Sequence, residues 1–332
     1  MKLLKTLIGA TALVGAATLA NAQANPAVIF DLGGKFDKSF NEMSYTGAER
    51  FTADTGITYR EFELQSDAQR EQALRRFAQA GNNPVVVAGF SNATAMAAVA
   101  PDFPDTDFVI IDMVVDAPNV RSVVFAEHEG SFLVGLLAGM ASETGTVSFV
   151  GGMDIPLIRK FQCGYTQGAR AANPDITVLA TMTGTDGSAW NNPVKGGELT
   201  MSQIENGSDV VFAAAGGTGR GVLQAATDAD IYAIGVDANQ NYMHPGNMLT
   251  SMLKRVDVAV YDAFNDVNNG EFTAGIQVMG LAEEGVGWAL DENNESLITD
   301  EMRAAVAAAS AAIIAGDIVV HDYMSDNACP VE

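Results

Sequence analysis

The chain has 332 residues and a formal net charge of −23 at pH 7. An acidic surface repels phosphate groups, so we expect neither nucleic acid nor anionic lipid as a partner. Two cysteines and three histidines share no ligand spacing, so we predict no metal site, and we expect no cofactor.

The first 24 residues have the layout of a secretory signal peptide. A basic start with Lys2 and Lys5 is followed by small apolar residues, and an Ala-x-Ala cleavage pattern ends at Ala22 or Ala24. The apolar part is too short for a membrane anchor. We therefore predict that 1–24 is removed on export and that the remaining roughly 300 residues form two domains.

Short apolar runs then alternate with helix-like segments. The predicted strands are 27–30, 58–62, 85–88, 108–112, 120–125, 146–151, 176–181, 210–214, 232–235 and 249–253. Helical patterns occupy 39–54, 67–80, 92–100, 127–142, 157–172, 193–205, 219–227, 255–270 and 301–315. This alternation predicts an α/β fold in which helices cover both faces of parallel sheets.

The strand–helix alternation starts again near Thr146, which predicts two doubly wound, Rossmann-like lobes. No Pro- or Ser-rich linker separates the halves, so we expect the lobes to exchange strands. The first lobe is predicted to contain 25–125 and about 250–280, and the second 126–249 and about 281–332. Ligands of open α/β sheets bind beyond the carboxyl ends of the strands, so we expect a cleft between the lobes.

The loop after the first strand carries an aromatic ring and an amide. Ser39 can cap the following helix, and Glu42 can complete a capping box three residues later. Phe40 and Asn41 would then lie on the first helical turn, where a ring can stack on a flat ligand and an amide can bind its edge. By spacing alone, Phe40 fits an ordinary core position equally well.

Three later loops carry further candidates for ligand contact. Asp112 follows an apolar strand, where a turn or cap residue is the alternative. Trp190 lies just before a helix that begins near Pro193, and we favour ligand contact for it over a core position. Lys254 ends a strand and could donate a hydrogen bond from the opposite wall, although lysine is commonly a solvated surface residue.

A glycine-rich turn, Ala215-Gly-Gly-Thr-Gly219, precedes a helix, and the next strand ends at Asp237. The spacing matches a dinucleotide-binding fingerprint only loosely, and an exported protein would meet little NAD. The ribose part of that chemistry still applies. Glycines admit a ligand close to the backbone, and Asp237 can accept hydrogen bonds from a free sugar.

Cys163 and Cys329 are expected to form a disulfide because exported proteins meet an oxidising environment; two free thiols are the alternative. Catalytic patterns are poor. The sequence has no Gly-x-Ser-x-Gly elbow and no histidine with an evident nucleophile. Carboxylates near Asp112 lie on both sides of a predicted strand, which would scatter them rather than gather them around one ion. We therefore predict no catalytic residues and no enzyme.

Taken in order, the motifs resemble the Bmp (basic membrane protein) family, the purine-nucleoside-binding components of ABC transporters, with the type I periplasmic-binding-protein fold. They are Asp37-Lys-Ser-Phe-Asn41, Gly151-Gly-Met-x-x-Pro156, Phe161-x-x-Gly164-Tyr165, Asn192-Pro-x-Lys-Gly196, Ala215-Gly-Gly-Thr-Gly219, Gly235-Val-Asp237-x-x-Gln240 and Ser251-Met-Leu-Lys254. The resemblance covers essentially the whole chain after the signal peptide.

The resemblance implies a nucleoside whose base stacks between Phe40 and Trp190. Members of the family often have Phe at the second position, so Trp190 is a departure. Asn41 and Asp112 would bind polar edges of the base, and Asp31 is a further candidate for ligand binding.

For the sugar, the resemblance implies that Asp237 and Lys254 hold the ribose hydroxyls. The backbone at Gly216 and Gly217 would lie close to the sugar. Closure of the lobes would bury the ligand and present a surface to a permease.

The resemblance also implies a monomeric periplasmic protein that delivers its ligand to an ABC permease in the inner membrane. Many relatives are lipoproteins with a Cys at the cleavage site, whereas the first Cys here is Cys163, so we expect no lipid anchor. A sensory ligand-binding module and an exported nucleoside-processing enzyme are the alternatives. A DNA-binding regulator of this fold would need a helix-turn-helix where the signal peptide lies.

Overall fold

The computed structural model describes residues 24–331. The predicted signal peptide lies outside these residues, except for Ala24. Within 24–331, every helix is too short or too polar to span a lipid bilayer.

Strands and helices alternate along the described chain. The strands are β1 Ala27–Phe30, β2 Arg60–Glu63, β3 Val85–Val87, β4 Phe108–Ile111, β5 Val120–Phe125, β6 Thr146–Met153, β7 Thr177–Gly184, β8 Val210–Ala214, β9 Tyr232–Asp237, β10 Met248–Lys254, β11 Gly275–Met279 and β12 Val286–Trp288. The helices are α1 Phe40–Thr55, α2 Arg70–Gln79, α3 Ala93–Val99, α4 Glu127–Ala141, α5 Pro156–Ala172, α6 Pro193–Glu205, α7 Gly219–Asp228, α8 Val256–Asn269 and α9 Asp300–Ala315.

The strands form two six-stranded sheets, one in each lobe. The first sheet has the order β11-β5-β4-β3-β1-β2, with all neighbours parallel. The second has the order β12-β10-β9-β8-β6-β7 and is parallel except where β12 runs against β10. This confirms the predicted α/β fold of two doubly wound lobes.

The chain passes between the lobes after β5, after β10 and after β11. The boundary expected near residue 250 falls inside β10, which pairs with β9 as far as Leu253. The chain therefore returns to the first lobe only after Lys254, and α8 then packs on α1. Continuous strand pairing sets this crossing point, and it leaves the end of β10 at the junction of the two lobes.

The central strands are fully buried because helices cover both faces of each sheet. β1, β3, β4 and β8 show no exposed position and consist of Val, Ile, Phe and Ala. The sequence analysis did not predict β11 and β12. Both are short strands at sheet edges, and most of β11 is exposed, so neither has the buried β-branched run that marks the inner strands.

The C-terminal tail is fastened to α5 at several points. Cys163 in the helix and Cys329 in the tail form a disulfide with an S–S distance of 2.05 Å. Gln167 accepts a hydrogen bond from the backbone N–H of His321 at 2.8 Å and donates one to its carbonyl oxygen at 3.1 Å. The N-terminal part of the same helix faces the cleft, so the tail braces one of the cleft walls.

We predict that Cys329→Ser lowers the free energy of unfolding by about 2–4 kcal/mol, because the disulfide no longer restricts the unfolded chain. Urea unfolding followed by circular dichroism measures the change. Wild-type protein under reducing conditions should match the variant under the same conditions. Equal midpoints for the oxidised wild type and the variant would contradict the prediction.

Candidate ligand-binding site

The carboxyl ends of both sheets face a common cleft, the usual place for a ligand in open α/β folds. From the first lobe, the predicted residues Asp31, Phe40, Asn41 and Asp112 line it. From the second lobe, the predicted residues Trp190, Gly216, Asp237 and Lys254 line it. The loops at the strand ends therefore meet at the cleft, but their side chains make different contacts there.

The start of α1 is capped by Asp37, which the sequence analysis did not assign this role. Its carboxylate accepts hydrogen bonds from the backbone N–H groups of Ser39 at 2.8 Å, Asn41 at 3.0 Å and Glu42 at 3.1 Å. The predicted capping box is wrong, since the side chain of Ser39 makes no cap bond and Glu42 accepts from the N–H of Lys38. One buried anion satisfies more of the free donors than a hydroxyl can.

Asn41 holds its own loop in place. Its amide oxygen accepts from the N–H of Asp31 at 3.0 Å, and its amide nitrogen donates to the carbonyl oxygens of Asp31 at 3.1 Å and Gly34 at 3.3 Å. Both donor hydrogens are thus used by the backbone. The side chain orients the loop that leads into Phe40, and because Asn41 also lines the cleft, its contact with the edge of a base stays a prediction.

Asp31 is held by an arginine from another element. The carboxylate lies 2.6 Å from Nη1 of Arg70 on α2 and accepts from the N–H of Leu32 at 2.7 Å. Burial raises the pKa of Asp31, and Arg70 opposes this effect. Arg70 was not predicted, because no local pattern connects it with a loop 39 residues earlier.

Four aromatic side chains line the cleft, two from each lobe: Phe40 and Phe90 from the first, Phe161 and Trp190 from the second. The Trp190 ring lies directly on Gly152 at the end of β6, where a Cβ would collide with the ring. A glycine at this strand end therefore makes room for the tryptophan. Phe90 and Phe161 were not predicted as site residues, although both stand near the start of a helical turn that follows a strand.

Lys254 is the cation of a buried charge cluster. Its Nζ lies 2.7 Å from both carboxylate oxygens of Asp112 and 3.0 Å from Glu127. Its side chain is only 2% exposed, so it is not the solvated lysine that was the alternative. Burial by itself lowers the pKa of Lys254, but Asp112, Glu127 and Asp237 raise it above its ordinary value. The ammonium group therefore stays charged.

Aromatic faces complete the surroundings of this ammonium group. Nζ of Lys254 lies 5.3 Å from the ring centre of Phe40, 5.1 Å from that of Phe125 and 5.5 Å from that of Phe161. Cation–π attraction adds to the stabilisation of a desolvated ammonium. Phe40 is thus a neighbour of the charge cluster as well as part of the cleft wall.

Glu127, at the start of α4, links this cluster to a second lysine. Its carboxylate lies 3.0 Å from Nζ of Lys160 as well as 3.0 Å from Nζ of Lys254. Burial acts to raise the pKa of Glu127, but the two lysines hold it below its ordinary value. Neither Glu127 nor Lys160 was predicted, because the pattern of α4 marks only an apolar helix with an acidic first turn.

Asp112 directly follows β4 and Asp237 ends β9, and both lie in the left-handed backbone region, with φ of 73° and 64°. Burial raises the pKa of each to about 6, and Lys254 opposes the shift in both. Asp237 also accepts a hydrogen bond from the hydroxyl of Ser39, which belongs to the other lobe. Asp112 of the first lobe therefore contacts Lys254 of the second lobe, and Asp237 of the second lobe contacts Ser39 of the first.

The two glycines of the turn before α7 have different surroundings. Gly216 lines the cleft with φ of 54°, a conformation that suits glycine. Gly217 packs against the loop of Trp190, where an added Cβ would lie 3.2 Å from the tryptophan carbonyl oxygen. At Gly217 the loop of Trp190 lies close to the glycine backbone, where the sequence predicted a ligand.

Comparison with known proteins gives a consistent result. The sequence model of the Bmp family, described as ABC transporter substrate-binding protein PnrA-like, matches residues 24–322. An ABC transporter nucleoside-binding protein, BmpA, of Lactococcus lactis is 32% identical over 319 residues, which are 89% of this chain and 88% of that protein. An uncharacterized lipoprotein of Pyrococcus horikoshii is 36% identical over 80% of this chain and 69% of its own length.

A solved structure agrees with these relatives. The solute-binding protein of an ABC transporter system from Aeropyrum pernix superposes with a TM-score of 0.83 at 29% identity, over 90% of this chain and 94% of that chain. The similarity therefore extends over both lobes and the cleft between them.

We predict that Lys254→Met lowers the free energy of unfolding by about 3–5 kcal/mol, because it leaves buried carboxylates without their cation. Lys195→Met is the control, since that lysine is exposed and makes only a 3.9 Å ion pair with Glu198. Urea unfolding measures both. Equal stability of the two variants would show that the cluster does not depend on Lys254.

The pH dependence of stability should reveal the buried Asp37. Burial raises its pKa to about 6, although three backbone N–H groups oppose the shift. The unfolded value is about 4, so the folded state binds the proton more tightly; this contribution to stability is complete below about pH 4 and is lost as the pH rises through 6.

Asp37→Asn should therefore show a smaller loss of stability between pH 5 and pH 7 than the wild type. Asp154→Asn, which changes an exposed carboxylate with a lowered pKa, should keep the wild-type slope in this range. Urea midpoints at four pH values measure the slopes. Parallel curves for the wild type and Asp37→Asn would contradict the assignment.

Proposed function

The chain belongs to the Bmp family of ABC transporter substrate-binding proteins, and on this basis we propose that it captures a nucleoside between its lobes. Its fold is that of the type I periplasmic binding proteins. One observation carries the proposal: aromatic rings from both lobes share a cleft with a buried lysine–carboxylate cluster. Such a cleft offers flat apolar surfaces for a base and paired donors and acceptors for a sugar.

In this proposal the base lies between Phe40 and Trp190, which line opposite walls of the cleft. The larger ring system of a purine would use more of these two surfaces than a pyrimidine. Asp112 accepts hydrogen bonds from N–H groups of the base, with Asp31 as a further acceptor. Asn41, which lines the cleft, also contacts a polar edge of the base, and its amide orients the loop that carries Asp31.

The ribose hydroxyls are held by Asp237 and Lys254, with the backbone at Gly216 beside the sugar. The charge balance of the site supports a neutral ligand that is rich in donors. Buried carboxylates at Asp37, Asp112, Glu127 and Asp237 outnumber the buried ammonium groups of Lys160 and Lys254. A phosphate group would be repelled there, so nucleosides fit this site better than nucleotides.

We further propose that the protein is a monomer, is exported to the periplasm by its signal peptide and delivers its ligand to an ABC permease. Family membership supports the transport role. The Pyrococcus horikoshii relative is called a lipoprotein, which differs from the unanchored protein that the sequence led us to expect. Enzymatic turnover plays no part in the proposal, since solute-binding proteins of this family bind and release their ligands.

Isothermal titration of ligand-stripped protein with adenosine, guanosine, inosine, uridine and ribose tests the proposal. We expect one purine nucleoside per chain to bind tightly and uridine and ribose to bind weakly. Phe40→Ala should weaken binding about 5- to 150-fold through lost stacking. Asp237→Asn should weaken it about 10- to 100-fold through lost charged hydrogen bonds.

Phe36→Ala is the matched control for stacking. This ring lies on the same loop but is 58% exposed and packs on Tyr45 outside the cleft. Its removal should leave the affinity unchanged. Heat from none of the five compounds would overturn the nucleoside assignment, and equal losses in Phe36→Ala and Phe40→Ala would overturn the stacking role.

A further inference from the structure

In addition to the lysine contacts of the buried charge cluster, two hydrogen bonds cross from one lobe to the other beside the cleft. The hydroxyl of Ser39, in the first lobe, donates to the carboxylate of Asp237 in the second. The side-chain amide of Gln240, in the second lobe, donates to the carbonyl oxygen of Lys38 in the first at 2.8 Å. Each lobe thus supplies one donor and one acceptor, and the two bonds involve neighbouring residues on the first lobe.

Hydrogen bonds within the second lobe fix the position of Gln240. Its side-chain oxygen accepts from the N–H of Val236 at 2.9 Å, and its backbone N–H donates to Oγ of Ser251 at 3.0 Å. Gly235 makes room for it, since a Cβ there would collide with the Gln240 side chain. The side chain is buried, and its amide nitrogen points towards the other lobe.

The acceptor is prepared in the same way on the first lobe. Lys38 has φ of 67°, a left-handed conformation that is uncommon outside glycine. Its N–H donates to Oε2 of Glu42 at 3.1 Å, and its Nζ pairs with Oε1 of the same residue at 3.1 Å. The carbonyl group of Lys38 is thereby directed at Gln240, and Asp37 holds the next N–H, that of Ser39.

We propose that Ser39 and Gln240 form an interlobe latch, a pair of positioning residues that hold the lobes closed. Asp237, which accepts the hydrogen bond from Ser39, lines the cleft. Ser39 and Gln240 themselves are not among the described residues that line it. The inference rests on the proposed function, because closure matters where a ligand is captured. The latch bonds form only when the lobes meet, so losing them speeds the release of a captured ligand.

Four variants test the latch. Gln240→Glu keeps an acceptor for the N–H of Val236 and the shape of the side chain, but places a carboxylate oxygen against the Lys38 carbonyl. Ser39→Ala removes the other donor, and Ser39→Thr restores a hydroxyl. Gln203→Glu is the matched control, since Gln203 is a buried amide that donates to the carbonyl oxygen of Phe149 within the second lobe at 3.0 Å.

A second control lies on α1, the helix that Ser39 directly precedes. Ser44 is buried, and its hydroxyl donates to the carbonyl oxygen of Phe40 within α1 at 3.2 Å. Ser44→Ala therefore removes a buried serine hydroxyl of α1 without touching the second lobe. Circular dichroism melts establish that every variant is folded before its kinetics are measured.

Stopped-flow tryptophan fluorescence with adenosine as the probe gives the two rate constants. We expect Gln240→Glu and Ser39→Ala to dissociate about 3- to 10-fold faster than the wild type, which is the effect of losing one hydrogen bond. Ser39→Thr, Ser44→Ala and Gln203→Glu should keep the wild-type dissociation rate. Unchanged dissociation in Gln240→Glu, or equally faster dissociation in the two controls, would overturn the latch.

Small-angle X-ray scattering separates the latch from the ligand assignment. If the wild type binds no adenosine, the assignment of that ligand fails, and scattering of the ligand-free proteins decides the latch alone. A larger radius of gyration for Gln240→Glu than for Gln203→Glu supports the latch, because the lobes then open more often. Equal radii would overturn it.

Discussion

The buried ammonium group of Lys254 joins the two lobes and the cleft. Removing a charge from water is costly, and it is tolerated only where partner charges compensate. Asp112 supplies one such charge from the end of β4 in the first sheet, while Lys254 itself ends β10 in the second. This pair lies where the strand ends of the two sheets meet, and the candidate ligand residues lie around it.

From this ammonium group the charge network continues away from the cleft. Glu127 joins Lys254 to Lys160, and Lys160 lies 3.4 Å from Asp322 in the C-terminal tail. The disulfide at Cys163 fastens the same tail to α5. Because α5 also brings Phe161 into the cleft, the tail, the charge network and the aromatic wall form one continuous assembly.

Local sequence was enough to predict the fold and the position of the cleft. Buried β-branched strands and amphipathic helices each follow from a periodicity that a short segment carries alone. Parallel strands bring their carboxyl ends to one edge, so Phe40, Asp112, Trp190, Asp237 and Lys254 could be assigned to a common cleft because each follows a strand. The sequence by itself determined that the loops carrying these five residues face the cleft, whereas the cleft positions of Phe90 and Phe161 came only from the structure.

Only the tertiary structure decided what most of these side chains bind. Arg70 reaches Asp31, Glu127 reaches Lys254, and Gln240 reaches Lys38 across sequence separations of 39, 127 and 202 residues. Asn41 turned inward to its own loop, because backbone groups there need partners when they are buried. Hydrogen bonds and ion pairs depend on atoms within about 3 Å of each other, and that proximity is set by how the lobes pack and not by any local pattern.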